Sequence, residues 1–264
     1  TPAAGPSHSR ILKKPAPSQT GEPPAGLSRN DWSQIRRSIE ASEYHARQVS
    51  KPGEALAVRA ANRRQGYRTT FRADGIEIVP QSRVSLPASW RLGLSPTGYG
   101  YEDDLRPVEP AEPRAKNERV EYCRGPLTEW YRNSPAGLEQ GFEIQEPGLR
   151  SSGPLVVEMA TQGDLNVWAE GDAAQFSSRS DGTVIRYAGL KAWDADGLPL
   201  RSRLEAADRK LRLVVEAQTA RFPVTIDPTF VHEAQLFGHF DPGPQAGAYF
   251  GSAVSVFGDT VVIG

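Results

Sequence analysis

The chain has 264 residues, a formal net charge of −1 and one cysteine, and 38% of its residues are hydrophobic. This length is enough for one large or two ordinary domains. A balanced charge provides no overall field to attract nucleic acid or a membrane surface, and a single cysteine excludes an intrachain disulfide or a cysteine-based metal cage. No apolar run approaches the roughly 20 residues of a membrane-spanning helix, so we expect no transmembrane segment.

The chain is expected to begin with a leader and a helix. Residues 1–27 are rich in Pro, Ala, Gly and Ser and lack periodic apolar residues, which predicts a disordered leader. Residues 28–47 predict the N-terminal helix, with Ser28 or Asn30 as its capping residue. An apolar stripe, expected to pack on its own domain, is formed by Trp32, Ile35 and Ile39.

From about residue 56 to residue 227, apolar and polar residues alternate with a period of two, as in strands that bury one face. The apolar positions are Tyr67, Thr69 and Phe71; Ile76 and Ile78; Trp90, Leu92 and Leu94; Val120 and Tyr122; Phe142 and Ile144; Leu155, Val157 and Met159; Ile185 and Tyr187; Leu211, Leu213 and Val215; and Phe222, Val224 and Ile226. Hairpin-turn signals follow several runs, at Asp74-Gly75, Asp181-Gly182 and Asp196-Gly197. The pattern predicts a mainly β fold, an antiparallel sandwich-like domain over residues 28–227 with one N-terminal helix.

Two proline-containing stretches are expected to interrupt this domain. The acidic, proline-rich residues 102–118 predict an exposed loop and a point of subdivision. Pro223 has no N–H to give to a sheet, so its strand is expected at an edge or leaving the sheet. Asp227-Pro228 is expected to end that strand, and residues 228–264 to form the next unit.

No spacing of reactive side chains matches a catalytic or metal-binding signature, so we expect no enzyme activity, catalytic residue, cofactor or metal site. The carboxylates that a glycosidase could pair, Glu129, Glu139 and Glu143, are expected to face solvent. Asp194 and Asp196 are expected to shape a turn. The only local cluster of histidines and acids, at His232-Glu233 and His239 to Asp241, fits no zinc spacing and is expected to lie exposed at a domain junction.

Cys123 is expected to be a small buried residue. Aromatic residues of a β-sandwich belong more often to the core or an edge than to a ligand platform. Three of them are nevertheless candidates for facing a ligand such as a sugar: Trp130, Tyr131 and Trp193.

The end of the chain resembles an FG-GAP repeat, the blade unit of integrin-α-like β-propellers. In that family a Phe-Gly pair opens one strand, a Gly-Asp turn follows, and a second apolar strand ends in Gly-Ala-Pro. The matching motif residues, all structural, are Phe250, Gly251, Gly258, Asp259 and Gly264. The resemblance implies that residues 228–264 are the first, truncated propeller repeat. Because Asp259 is the single acid between Phe250 and Gly264, calcium is expected only in later repeats.

Residues upstream are similar to the region that precedes such repeats in large bacterial surface and secreted proteins. The similar blocks are Gly125 to Tyr131, Gly137 to Phe142, Arg186 to Leu190, Trp193 to Ala195, Leu211 to Val215 and Ala220 to Pro228. No signal peptide is recognisable, so the secreted or cell-surface location is implied by the resemblance alone. The resemblance also implies a non-enzymatic binding or structural module, for adhesion or as a scaffold, with a protein or glycan ligand and no nucleic acid.

Two alternatives stay open at this point. One is a carbohydrate-binding or carbohydrate-processing β domain that uses exposed aromatic residues and acids. The other is a domain that assists the folding or display of the propeller and has no ligand of its own.

Overall fold

In a computed structural model of the chain, the described residues are 23–50, 53–81, 90–145, 153–170, 172–178, 184–233, 254–257 and 260–263. The chain divides after Ala41 into two compact units. The elements in chain order are α1 Arg29–Ser42, β1 Arg47–Gln48, β2 Val58–Asn62, β3 Tyr67–Arg72, β4 Gly75–Pro80, β5 Leu92–Tyr101, β6 Asp104–Pro107, β7 Arg114–Lys116, β8 Arg119–Arg124, β9 Leu127–Ser134, β10 Gly137–Ile144, β11 Leu155–Gly163, β12 Asn166–Glu170, β13 Ala173–Ser177, β14 Val184–Trp193, β15 Ser202–Ala207, β16 Lys210–Val215, β17 Val224–Glu233, β18 Val254–Phe257 and β19 Thr260–Ile263.

The helix α1 is shorter than the sequence predicts. Ser28 caps it, since its Oγ accepts the backbone N–H of Asp31 at 3.1 Å. The helix ends at Ser42 rather than at residue 47, and β1 already begins at Arg47. No residue of α1 is buried, and Ile35 and Ile39 are 38% and 55% exposed. Within the described residues no helix is long and apolar enough to cross a membrane.

The second unit contains two large antiparallel sheets, which confirms the predicted fold class. Sheet A has the strand order β1-β2-β3-β4-β5-β11-β16-β15, with β6 paired beside β5. Sheet B has the order β12-β13-β14-β17-β10-β9-β8-β7. The chain first crosses from sheet A to sheet B within residues 102–118. That segment therefore contains two short strands, β6 and β7, where the sequence predicts only a loop.

Side chains of the two sheets meet face to face in one hydrophobic core. The ring of Phe71 from sheet A meets the edge of Tyr131 from sheet B, with 5.2 Å between ring centroids. The hydroxyl of Tyr67 in sheet A donates to the carbonyl of Phe230 in sheet B at 3.2 Å. These contacts tie the faces together, so the unit is a sandwich.

The strand that carries Pro228 lies in the middle of sheet B, whereas the sequence predicts a strand at an edge or leaving the sheet, which ends at Asp227-Pro228. Pro223 lies just before β17, and β17 continues through Pro228 to Glu233 between β14 and β10. The register of β14 against β17 shifts between Ala188 and Lys191, opposite Pro228. A bulge at this point accommodates a residue that has no N–H to donate. The sandwich therefore extends to Glu233, past the expected boundary at Asp227.

At position 75 a glycine is required by close packing between strands and not by a turn. The register pairs Arg72 with Gly75, so the two-residue turn is Ala73-Asp74 and not Asp74-Gly75 as predicted. Gly75 has φ +155°, and a Cβ there would overlap the carbonyl oxygen of Leu94 on β5. The glycine lets two neighbouring strands approach each other.

The strands β18 and β19 pair antiparallel, from Val254 opposite Ile263 to Phe257 opposite Thr260. The predicted repeat has two strands at these positions. The motif residues Phe250, Gly251, Gly258, Asp259 and Gly264 lie outside the described residues, as does the predicted turn at Asp181-Gly182. The FG-GAP assignment therefore stays a prediction.

Candidate functional site

A connected cluster of buried polar side chains lies inside the sandwich, around Glu129. Alternate residues of β9 face the core, among them Leu127, Glu129 and Tyr131. Glu129 is 0% exposed, so the prediction that it faces solvent is wrong. Both faces of β9 carry aromatic residues, and the structure turns Tyr131 inward and leaves Trp130 partly exposed.

Both oxygens of the Glu129 carboxylate have donors. Its Oε1 accepts the hydroxyl of Tyr131 at 2.6 Å and the amide Nε2 of Gln140 at 3.0 Å. Its Oε2 accepts Nε of Arg124 at 3.2 Å. The same guanidinium donates through Nη1 to the carbonyls of Ala73 and Glu109, at 3.1 and 2.6 Å. Arg124 thereby links the acid to two loops, and its side chain is as buried as that of Glu129.

Gln140 extends the network across sheet B. Its Nε2 also donates to the hydroxyl of Tyr131 at 2.7 Å, and its Oε1 accepts the hydroxyl of Tyr187 at 2.7 Å. Tyr187 lies on β14, and its ring is 4.2 Å from that of Phe230 on β17. The polar chain therefore joins β9, β10 and β14, and it spans β17, which lies between β10 and β14.

Burial sets the protonation behaviour of this cluster. Desolvation raises the pKa of Glu129, while Arg124 and the hydrogen bonds from Tyr131 and Gln140 act in the opposite direction. Burial likewise raises the pKa of Tyr131 and of Tyr187 well above the usual tyrosine value. Because every neighbour of the carboxylate in this cluster is a donor, the groups match an ionised Glu129 beside neutral tyrosines.

The three glutamates from which a glycosidase could form its pair do not come together. Glu139 and Glu143 alternate with buried residues on β10 and lie on the outer face of sheet B, whereas Glu129 lies on the inner face. Glu139 is 4.0 Å from Arg132, and Glu143 accepts Nε2 of Gln145 at 3.1 Å. With the sheet between them, these carboxylates cannot flank one glycosidic bond.

The three aromatic residues predicted to face a ligand also have separate positions. Tyr131 is fully buried, so it is not a ligand-facing residue. The indole of Trp130 covers Gly141, where a Cβ would overlap it, and the guanidinium of Arg119 lies 4.5 Å from its ring centroid. Trp193 is partly exposed on β14, three strand spacings or roughly 14 Å from Trp130. They do not form one sugar platform.

The predicted role of Asp194 as a turn former is confirmed. Its Oδ1 accepts the backbone N–H groups of Asp196 and Leu198, at 3.0 and 2.9 Å, and its Oδ2 accepts that of Arg221 at 3.2 Å. These bonds lower the pKa of Asp194, with the Leu198 bond as the largest cause. Gly197 has φ +76°, as the predicted turn requires.

The expectation for Cys123 is wrong, since this residue is exposed. It alternates with the buried Tyr122 and Arg124 on β8 and so takes the outer face. His232 lies in β17, while His239 lies outside the described residues. Among the residues that the structure describes, no three His, Cys, Asp or Glu side chains group as a metal site.

A second interior polar link was not predicted from the sequence. Asn62 on β2 donates Nδ2 to Oδ1 of Asn133 on β9 at 2.9 Å. Asn133 in turn donates to the carbonyls of Tyr44 and Ala61, at 3.0 and 2.9 Å. Asn62 and Asn133 occupy positions that the apolar–polar alternation of their strands assigns to the buried face. Polar residues at such positions are the signal that could have indicated this link.

The fold and this interior define an antiparallel β-sandwich that encloses the Glu129 cluster between its sheets. No protein-family model matches the chain, and a comparison with curated proteins finds no match.

Proposed function

We propose that this chain is a non-enzymatic, extracellular binding or structural module that precedes a β-propeller and acts in adhesion or as a scaffold. The observation that supports this proposal is the enclosure of Arg124, Glu129, Tyr131, Gln140 and Tyr187. Their functional groups bond to one another and are shielded from solvent by both sheets. A substrate cannot reach this cluster, so its role is to fix the register of the strands that carry it.

The proposal is tested by separating turnover from stability. The whole chain is incubated with a panel of polysaccharides and ester substrates, and its unfolding is followed in urea. We expect no turnover above buffer. Tyr187→Phe is expected to lower the free energy of unfolding by about 1–3 kcal/mol, because it leaves the buried Oε1 of Gln140 without its donor.

Turnover by the wild-type chain that Glu129→Gln abolishes while the fold persists would refute the non-enzymatic proposal. An unchanged unfolding free energy in Tyr187→Phe would refute the ordering role of the cluster. Tyr99→Phe is the matched control, since Tyr99 is a core tyrosine of sheet A that lies outside this network.

The propeller part of the proposal has its own test in the gene. The reading frame beyond Gly264 is expected to continue with Ala-Pro and with further Phe-Gly and Gly-Asp pairs at a regular spacing. One blade cannot bury both of its faces, so repeats must follow for it to be stable. A frame without such repeats would remove the propeller and leave the sandwich as the functional unit.

A further inference from the structure

Sheet B ends in an open strand edge at β12, which we call the β12 edge (Asn166–Glu170). The strand pairs with β13 on one side, and no second strand of the described chain pairs with it on the other side. Val167 packs against the core, so the alternation of the strand places Trp168 on the outer face. Trp168 is 41% exposed. An unpaired edge of this kind is a template for another strand.

The other terminal strands have the features that protect a sheet edge, which are short length or charged side chains. β1 has two residues, β6 has four, and β7 has three, of which Arg114 and Lys116 are cationic and exposed. β15 is longer, but Arg203 and Glu205 on it are charged and paired with each other at 3.0 Å. By contrast, residues 166–169 of β12 include neither a charge nor a proline. Within the described strands, β12 is therefore the unprotected edge.

The hairpin of β12 and β13 determines which backbone groups of the β12 edge are free. Glu170 is paired with Ala173, and the hydrogen bond of the turn joins these two residues. Hydrogen-bonded and non-hydrogen-bonded positions alternate along an antiparallel strand. The backbone of Trp168 therefore bonds to β13, whereas the N–H and C=O groups of Val167 and Ala169 point to the open side.

We propose that the β12 edge pairs antiparallel with the β12 edge of a second copy of this chain, around a two-fold axis at Trp168. The N–H of Val167 donates to the C=O of Ala169 of the second copy, and the N–H of Ala169 of the second copy donates to the C=O of Val167. The symmetry repeats both bonds on the other side of the axis. The two Trp168 side chains then lie opposite each other in a non-hydrogen-bonded pair, where side chains are closest.

A second copy is favoured as the occupant because the edge is complementary to itself. The two residues with free backbone groups lie at equal distances on either side of Trp168, and the paired positions are uncharged. A shift by one residue would place residues with free groups opposite residues without them. Pairing also covers the exposed indole with another aromatic ring. It further covers Ala169, which is exposed, and Val167, which is partly exposed.

The test is sedimentation velocity of the whole chain at concentrations from about 5 to about 500 µM. Two five-residue strands bury less than the roughly 1,200 Å² of a stable interface, so we expect a reversible dimer with a Kd on the order of 100 µM. Trp168→Lys is expected to weaken association at least about tenfold, because the two introduced ammonium groups lie opposite each other.

Two further variants separate strand pairing from other contacts. Ala169→Pro removes one free N–H from each copy without removing a bond to β13, and it is expected to weaken association at least about tenfold. Val49→Lys is the matched control. Val49 is an apolar residue of similar exposure, 39%, that follows β1 in sequence, and this variant is expected to associate like the wild type. Circular dichroism verifies that each variant is folded.

Disulfide trapping tests the register in a Cys123→Ser background, which removes the exposed native thiol. Trp168→Cys is expected to form an intermolecular disulfide on mild oxidation, because Cα atoms in a non-hydrogen-bonded pair are about 4.5 Å apart. Asn166→Cys is expected to stay reduced, since its Cα would lie roughly 14 Å from that of Asn166 in the second copy.

A chain that stays monomeric at every concentration would overturn the proposal, as would an equal loss of association in Val49→Lys. Association that Trp168→Lys leaves unchanged would assign the contact to another surface. Full association in Ala169→Pro would assign it to the indoles without strand pairing, and a disulfide in Asn166→Cys but not in Trp168→Cys would contradict the register. Each of these results overturns the dimer and leaves the proposed non-enzymatic function untouched, because none of them concerns turnover.

Discussion

At the residue scale, Glu129 is the centre of the polar network inside the sandwich. A buried carboxylate is tolerated when its charge is paired and its oxygens are bonded, and Arg124, Tyr131 and Gln140 provide both conditions. The consequence is mutual dependence, because removing one partner leaves another buried group unsatisfied.

Glu129→Gln is expected to destabilise the sandwich by about 3–5 kcal/mol, since it leaves the buried charge of Arg124 without its counterion. Urea unfolding followed by tryptophan fluorescence measures the change. Glu121→Gln is the matched control. It removes the same charge from an exposed ion pair with Arg119, where about 0–1 kcal/mol is at stake. Equal effects in the two variants would contradict the assigned role of the interior pair.

Asp227 gives the sandwich a pH dependence of its own. Desolvation and then Glu139 raise its pKa from 3.8 to about 6, against the smaller opposing effect of Lys191. The folded state therefore binds this proton more tightly than the unfolded state does. This contribution to stability is fully present below pH 3.8 and is lost as the pH rises through about 6.

Asp227→Asn keeps the side chain neutral at every pH. Relative to the wild type, the variant is expected to be more stable at about pH 7.5 and equally stable at about pH 4. Urea unfolding of both proteins across this range measures the difference. Asp172→Asn, at an exposed position, is expected to follow the wild-type profile. If the wild type instead became more stable than Asp227→Asn as the pH rises, the raised pKa of Asp227 would be contradicted.

At the element scale, the pairing of β9 with β10 depends on a glycine beneath an indole. Gly141 lies opposite Trp130, and the indole occupies the space that a side chain would need. This arrangement shields a strand glycine that has no side chain of its own to pack. It also explains why Trp130 is part of the sheet surface and not a free platform.

Gly141→Ala is expected to cost about 1–3 kcal/mol, because the new methyl group displaces the indole. In a Trp130→Ala background the same substitution should be nearly neutral. The double-mutant cycle measures this coupling. If Gly141→Ala lowers the free energy of unfolding equally in both backgrounds, the strain lies in the backbone and the role of Trp130 is contradicted.

At the scale of the whole molecule, β17 closes the sandwich. It bonds to β14 on one side and to β10 on the other. It therefore joins one half of sheet B, the strands β12 to β14, to the other half, the strands β7 to β10. Phe230, near its end, is fully buried. The two halves of the sheet therefore depend on residues beyond Asp227.

A chain that ends at Asp227 is expected to lose cooperative unfolding, whereas one that ends at Glu233 should retain it. The shorter chain lacks the ladder from Pro228 to Glu233 and the buried ring of Phe230, and it leaves two neighbouring strands with unpaired edges. Circular dichroism during heating compares the two. A cooperative transition in the shorter chain would place the domain boundary at Asp227 after all.

The sequence by itself determined the local structure. Alternation of apolar and polar residues predicted most of the strands of the sandwich, for example β3, β11 and β16, because the period of two is a property of each strand alone. The same local chemistry predicted the Ser28 cap and the Asp194 turn. These features depend on neighbours within a few residues, which the sequence displays directly.

Only the tertiary structure decided which face of a strand is inside and which strands are neighbours. Trp130 and Tyr131 are both apolar enough for a core, so alternation could not choose between them, and Glu129 followed Tyr131 inward. The central position of β17 depends on a bulge in β14 that accommodates Pro228. The polar network around Glu129 arises in the same way, from residues that pairing brings together. Long-range pairing is fixed by the packing of the whole core, and no window of sequence contains that information.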